Sequence, residues 1–224
     1  MEGSEHMKTL NLVLCALALA TIASAAAVDC TLPSPTGAVG ANVTSLTMGC
    51  FGGGLLFDMF SVISAPPGTT VFVSSMGTGP VATPQGFSLG FQITTPTPPV
   101  DTILQYHVST LTGGASIIGV DNSHNGVATT IGEVVCDQAF VGGVCATGHI
   151  LANFSNPPTP NGTVMAFAPH SQIYVLKDIS LPSANSFISN FVNSHETIPE
   201  PSTALLLGLG LCSLAGLSRK FRRG

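Results

Sequence analysis

The sequence predicts an all-β fold: one β-sandwich-like ectodomain between an N-terminal signal peptide and a C-terminal short transmembrane helix. Three observations carry this. Short runs rich in Val, Ile and Thr are punctuated by 25 glycines and 16 prolines in a chain of 224 residues, the pattern of many strands joined by tight turns. Charged residues make up only 8%, so the Lys, Glu and Arg that populate surface helices are nearly missing. The two longest apolar runs lie at the chain ends, each beside basic residues. The expected boundaries are 1–27, 28–197 and 198–224, and the number of short runs in the middle segment fits a sandwich.

At the N-terminus, Lys8 precedes an apolar run over residues 10–22 and the small residues Ala23, Ser24, Ala25, Ala26 and Ala27. A positive start, an apolar centre and a small-residue cleavage site make a secretory signal peptide. Cleavage after Ala25 or after Ala27 fits equally well. Glu2 and Glu5 stand ahead of Lys8, unusual in such a peptide, which points to Met7 as the translation start.

The remaining segment of about 170 residues is long enough for one domain with its own core. Lys177 is its sole basic residue before the C-terminal cluster. Neutralising a polynucleotide backbone requires several cations, so nucleic acid is excluded as a partner. Cys30, Cys50, Cys136 and Cys145 in an exported chain read as two disulfides. Three connectivities are possible, and the spacing favours Cys30 with Cys50 and Cys136 with Cys145. A zinc set of Cys136, Cys145 and His149 lacks both a Cys-x-x-Cys pair and a fourth ligand.

Within the ectodomain, Gly52, Gly53 and Gly54 form a turn that opens the folded part, followed by an apolar run through Phe60 and Val62. No Lys follows at phosphate-loop spacing. Val71, Phe72 and Val73 form the next strand. Phe87, Leu89, Phe91 and Ile93 alternate with Ser88, Gly90 and Gln92, giving one buried and one wet face. Residues 101–108 make another strand with Leu104, Tyr106 and Val108 on one side, which leaves His107 as a partly exposed strand residue rather than a catalytic base. Strands are also expected over 115–120, 127–136, 144–154, 164–168 and 173–179. Residues 186–193 fit a short helix or a last strand, and 193–197 lead out of the domain.

Between two of these strands, Asp121, Ser123, Asn125 and Gly126 match the first half of a calcium loop. Position twelve holds Gly132 instead of an acid, and flanking helices are missing. Asn125-Gly126 is a strong hairpin signal, so the segment reads first as a plain turn. Asp58, Asp101, Asp121, Glu133, Asp137 and Asp178 could supply a catalytic carboxylate pair, but no spacing selects two of them. His107, His124, His149 and His170 have no motif partners, and no Gly-x-Ser-x-Gly occurs. No catalytic residue, metal or cofactor is therefore assigned.

The C-terminal segment carries the clearest signal. Pro199 and Pro201 flank Glu200 and hold the backbone extended. A leucine-rich uncharged run follows over 203–217, and the tail 218–224 contains Arg219, Lys220, Arg222 and Arg223. In lipid that run must be helical. At about 1.5 Å per residue it falls short of the roughly 30 Å hydrocarbon core, which suits a processing signal better than a permanent anchor. The basic tail places the C-terminus on the cytoplasmic side. Ala204, Gly208, Cys212 and Gly216 line one face with small residues, a surface suited to helix docking.

This tripartite arrangement resembles the PEP-CTERM sorting signal of Gram-negative bacteria. The resemblance implies an exosortase, a membrane-embedded transpeptidase-like enzyme, as partner, with Pro199, Glu200 and Pro201 as recognition residues. It also implies passage through the inner membrane, transient anchoring there, and delivery to a cell surface or extracellular matrix associated with exopolysaccharide. The expectation is a non-catalytic surface or matrix protein. The alternatives are a carbohydrate-binding module, calcium-assisted through Asp121, Ser123 and Asn125, and a membrane-anchored enzyme of unassigned class. With no Trp and two Tyr, the sugar-stacking platform common to carbohydrate modules is largely missing.

Overall fold

The computed structural model describes residues 26–74, 87–94, 100–111, 115–127, 130–154, 163–183 and 187–198. The expected signal peptide as far as Ala25 and the expected sorting segment from Pro199 onward, including the expected span 203–217, lie outside the described residues. Among the described residues no helix is long and apolar enough to cross a membrane.

In chain order the strands are β1 (Val28–Pro33), β2 (Gly37–Val39), β3 (Cys50–Gly52), β4 (Leu55–Ser64), β5 (Thr70–Ser74), β6 (Phe87–Thr94) and β7 (Val100–Thr110). They continue as β8 (Ser116–Asp121), β9 (Ser123–Val127), β10 (Thr130–Cys136), β11 (Ile150–Phe154), β12 (Val164–His170), β13 (Gln172–Leu181) and β14 (Phe187–Ile198). A single 3-10 turn, Val43–Ser45, is the only helical piece among the described residues. One sheet has the order β11-β10-β13-β7-β4-β3-β1-β2; the other has β12-β8-β14-β6-β5, with β9 also paired to β14.

Of the alternation expected of β6 only the apolar half holds: Ser88 and Gly90 of the face expected to be wet are buried as well, leaving Gln92 exposed, and the core-facing residues are Phe87, Leu89, Phe91 and Ile93. They meet Leu55, Phe57, Leu104, Tyr106, Val108, Val175 and Ile179 from the other sheet in one core. Aromatic contacts join the layers, with Phe57 at 5.4 Å from Phe87 and Phe91 at 5.5 Å from Tyr106. The glycine triplet makes the β3–β4 hairpin, in which Gly52 pairs with Leu55 and Gly53 and Gly54 take φ of +57° and +80°. A two-residue turn with both φ positive matches the twist of the flanking strands. Gly52 itself is required by space, since a Cβ there would lie 2.2 Å from the Phe87 ring.

The cysteine pairing is as the spacing favours. Cys30–Cys50 ties β1 to β3, and Cys136–Cys145 closes the excursion after β10.

Five expectations are corrected. The folded part opens at Val28, not at Cys50, because β1 pairs in parallel with β2 and β3. Residues 144–149 are not strand; β11 begins at Ile150, and Gly142, Gly143 and Gly148 with positive φ turn the chain before it. The expected turn at 121–126 is strand: β8 and β9 both run along β14, with His195 opposite Val120 and Val192 opposite Ser123 on either side of Asn122, and the register shifts further out, between Glu196 and Thr197 and between Ile188 and Asn190. Cross-strand pairing there overrides the local Asn-Gly preference, and the expected strand 127–136 is divided between β9 in one sheet and β10 in the other. Finally, residues 187–198 form a strand throughout, so 193–197 do not lead out of the domain: Asn193, Ser194, His195, Glu196 and Thr197 are all at most 8% exposed.

Candidate functional site

Period-two geometry places Lys177 on the same face of β13 as Ile173, Val175, Ile179 and Leu181, all buried. Its side chain therefore enters the space between the sheets. The β10–β13 register sets Glu133 directly opposite. Lys177 Nζ donates to Glu133 Oε2 and, at 3.0 Å, to Asn122 Oδ1. Asn193 Nδ2 donates to Glu133 Oε1 at 3.0 Å, and Asn122 Nδ2 donates to the Ile131 carbonyl at 3.2 Å. Both charged side chains are 0% exposed. Burial pushes Glu133 up and Lys177 down, and each opposes the other's shift by attraction. The network joins β10 and β13 to β14 and the β8–β9 junction, so it clamps the two layers.

His195 continues this interior. Its ring lies edge-on to Phe57 at 5.1 Å and to Tyr106 at 6.3 Å. Burial holds it neutral, its pKa lowered to about 3. Burial likewise pushes the Tyr106 hydroxyl well up, with Glu133 and Asp121 adding to the shift. These groups are enclosed in the core, so their chemistry is structural.

In the sequence Lys177 stands out only by its rarity. The signal that locates it was present: a lone cation in register with four buried apolar residues of an alternating strand.

On the opposite face of the larger sheet, Asp101, Thr130, Gly132, Asn153, Asp178 and Ser180 help line a cavity of about 650 Å³. A second cavity of about 380 Å³, bordered by Ser64, Pro66 and Pro182, shares Asp101 and Ser180. Burial and a hydrogen bond shared with Asp101 push the Asp178 carboxyl up. Such a carboxyl pair offers polar partners to a hydroxyl-bearing ligand.

The other sequence candidates are dispersed. Asp58 holds His107 at 2.6 Å and Asp137 holds His149 at 2.7 Å. His107 is not partly exposed as expected; the Tyr174 ring at 4.6 Å covers it and it is 8% exposed. Cys136 and Cys145 are bonded to each other, which closes the zinc set. Of the calcium candidates, Asp121 is fully buried, accepting the Ser194 N–H at 2.5 Å and the Ser123 hydroxyl at 3.2 Å. The Asn125 side chain lies outside the described residues. Among the described residues no three His, Cys, Asp or Glu side chains gather to hold a metal ion.

The remaining functional element follows β14. Thr197 is 4% exposed and Ile198, the last described residue, is 39% exposed. Pro199, Glu200, Pro201, Arg219, Lys220, Arg222 and Arg223 come after it, outside the described residues. A tail of this order after an all-β domain has the arrangement of a C-terminal sorting signal. The signal is of one kind: residues 197–223 match the family model of the PEP-CTERM protein-sorting motif. The chain thus carries a PEP-CTERM signal, which implies export and processing by an exosortase at the membrane. No curated protein matches the chain.

Proposed function

We propose that this protein is a non-catalytic component of the cell surface or extracellular matrix. It crosses the inner membrane, is held briefly with its C-terminus in the cytoplasm, is released by the exosortase and associates with exopolysaccharide. The observation that carries the reading is the sorting motif at 197–223 joined without a spacer to a β domain. The dispersal of the histidines into Asp58–His107 and Asp137–His149 pairs supports a structural role. The test is the intact mass of the chain from cells with and without the exosortase, with cell fractionation. Loss of the basic tail and appearance outside the membrane fraction, both dependent on the enzyme, are expected. A full-length, membrane-bound chain in both strains refutes the proposal.

The groove at Asp101 and Asp178 favours a second reading, a carbohydrate-binding module without an aromatic platform. Retention of the protein on purified exopolysaccharide, abolished by Asp101→Asn with Asp178→Asn, is the result this reading requires. Equal retention of wild type and variant removes the groove from consideration.

A further inference from the structure

We infer that Lys177 Nζ and Asn122 Cγ join in an intramolecular isopeptide bond, with Glu133 carrying the protons. Lys177 is the only lysine between residues 9 and 218, and the fold places it where solvent does not reach, beside a carboxylate that is 0% exposed like itself. A buried pair of this kind adds little net stability over apolar side chains of the same volume. Its third member, Asn122, gives the pair a chemical use.

The β10–β13 register sets Glu133 opposite Lys177 in the larger sheet. Asn122 comes from the other layer, between β8 and β9, and is 8% exposed. Its Nδ2 donates to the Ile131 carbonyl at 3.2 Å, which leaves Oδ1 facing Nζ at 3.0 Å. Cγ lies one C=O bond, about 1.2 Å, from that oxygen, so the amine and the amide carbon start as neighbours. Holding two reactants in this way replaces a bimolecular encounter with an intramolecular step. In water the reaction fails because the amine is protonated and the amide nitrogen leaves poorly. Glu133 meets both obstacles, as it accepts from Nζ through Oε2 while Asn193 Nδ2 steadies Oε1 at 3.0 Å. Burial pushes the Glu133 carboxyl up and the Lys177 amine down, and both directions favour a neutral acid beside a neutral amine.

Glu133 takes one proton from the ammonium. The freed Nζ lone pair forms the bond to Cγ as the carbonyl π pair moves onto Oδ1. A second Nζ proton passes through the Glu133 carboxyl to Nδ2, the Cγ–Nδ2 bond breaks, the carbonyl re-forms and ammonia departs. Nζ keeps one hydrogen, Glu133 keeps one, and neither charge of the pair remains. No oxidant, metal or second protein is required, and Glu133 acts once, without turnover. The product staples β13 of the larger sheet to the β8–β9 junction of the smaller, across a separation of 55 residues. It forms whether or not the tail is removed. The open chain described above is the reactant, and the ion-pair energetics of Lys177 and Glu133 belong to that form.

Trypsin supplies the test, because it cuts after Lys and Arg with free side chains, and Lys177 is the one such site between residues 9 and 218. The full-length gene product, purified folded from exporting cells, is reduced, denatured and digested. The expected ectodomain stays in one piece, with a mass lower than its sequence requires by one ammonia, about 17 Da. Its fragment spectrum joins the Asn122 peptide to the Lys177 peptide. Two pieces at the sequence mass overturn the inference. So does the same mass loss in a chain still cut after Lys177, since the ammonia then came from another side chain, and so does a Lys177 linkage to any residue but Asn122. Asn122→Ala keeps the ion pair and is expected to be cut into two pieces. Glu133→Gln cannot take the proton and is expected to behave likewise; full linkage in this variant overturns the role given to Glu133. The wild-type digest decides on the bond even where a variant fails to fold.

Discussion

Replacing Lys177 with Met removes the cation and keeps most of the volume. Glu133 then retains the Asn193 donor at 3.0 Å but loses Nζ, and Asn122 Oδ1 loses its 3.0 Å donor. Both charges are 0% exposed, so water does not replace the lost partner. Breaking a buried pair this way costs about 3–5 kcal/mol. At roughly 2–4 °C per kcal/mol for a domain of this size, the melting temperature falls by roughly 6–20 °C. Burial already raises the Glu133 pKa, and loss of Lys177 raises it further. The folded variant therefore binds a proton that the unfolded chain releases, and its deficit shrinks as pH falls from 7 towards 5. The double variant Lys177→Met with Glu133→Leu removes both charges and recovers stability to within about 1 kcal/mol of wild type or above it. Thermal unfolding followed by circular dichroism reads all three proteins. A single variant that melts within about 2 °C of wild type refutes the reasoning. So does a double variant at least as unstable as the Lys177→Met single.

Other outcomes follow from the same structure. His195 has a folded pKa of about 3 against an ordinary 6.5; its contribution is complete above the ordinary value and is lost on acidification towards the folded one. The slope is at most about 1.4 kcal/mol per pH unit, and His195→Phe flattens it in urea midpoints measured at pH 7 and 4.5. The disulfides close loops with separations of 20 and 9 residues, worth about 3.3 and about 2.6 kcal/mol in the chain-entropy relation. Cys30→Ala with Cys50→Ala therefore lowers the melting temperature more than Cys136→Ala with Cys145→Ala. Gly52→Ala drives a Cβ to 2.2 Å from the Phe87 ring and costs about 1–3 kcal/mol through overpacking, read as a lower denaturation midpoint.

The sequence was most informative where a strand has one apolar and one polar face. Phe87, Leu89, Phe91 and Ile93 are buried as their spacing indicates, although Ser88 and Gly90 between them are buried too, and the four ectodomain cysteines pair as their spacing favours. It failed where polar residues are buried together. The Asn193-Ser194-His195-Glu196-Thr197 stretch has the composition of a linker, yet its polar groups meet Glu133, Ser88 and Asp121 across strands 60 to 106 positions away. No local pattern encodes such partners. Asp121 and Asn122 misled for the same reason, because turn-forming side chains also cap a buried lysine and a backbone N–H. The parallel strands β1 and β2 are too short, at 6 and 3 residues, to show a period. The groove pairing of Asp101 with Asp178 depends on the β7–β13 register, which sets Asp101 opposite Ser180. The tail was legible without any fold, since its order of rigid tripeptide, apolar run and cations acts through sequence alone.

The placement of Lys177 limits how this molecule can be joined to others. It is the one lysine between residues 9 and 218, and its ammonium is sealed in the core. A folded, processed copy therefore presents no ε-amine for isopeptide linkage, glycation or amine-directed cross-linking. If a transpeptidase attaches this chain covalently to a larger assembly, the protein enters through its carboxyl end. It cannot serve as a side-chain branch point for the next copy, so growth by that route stops after one unit.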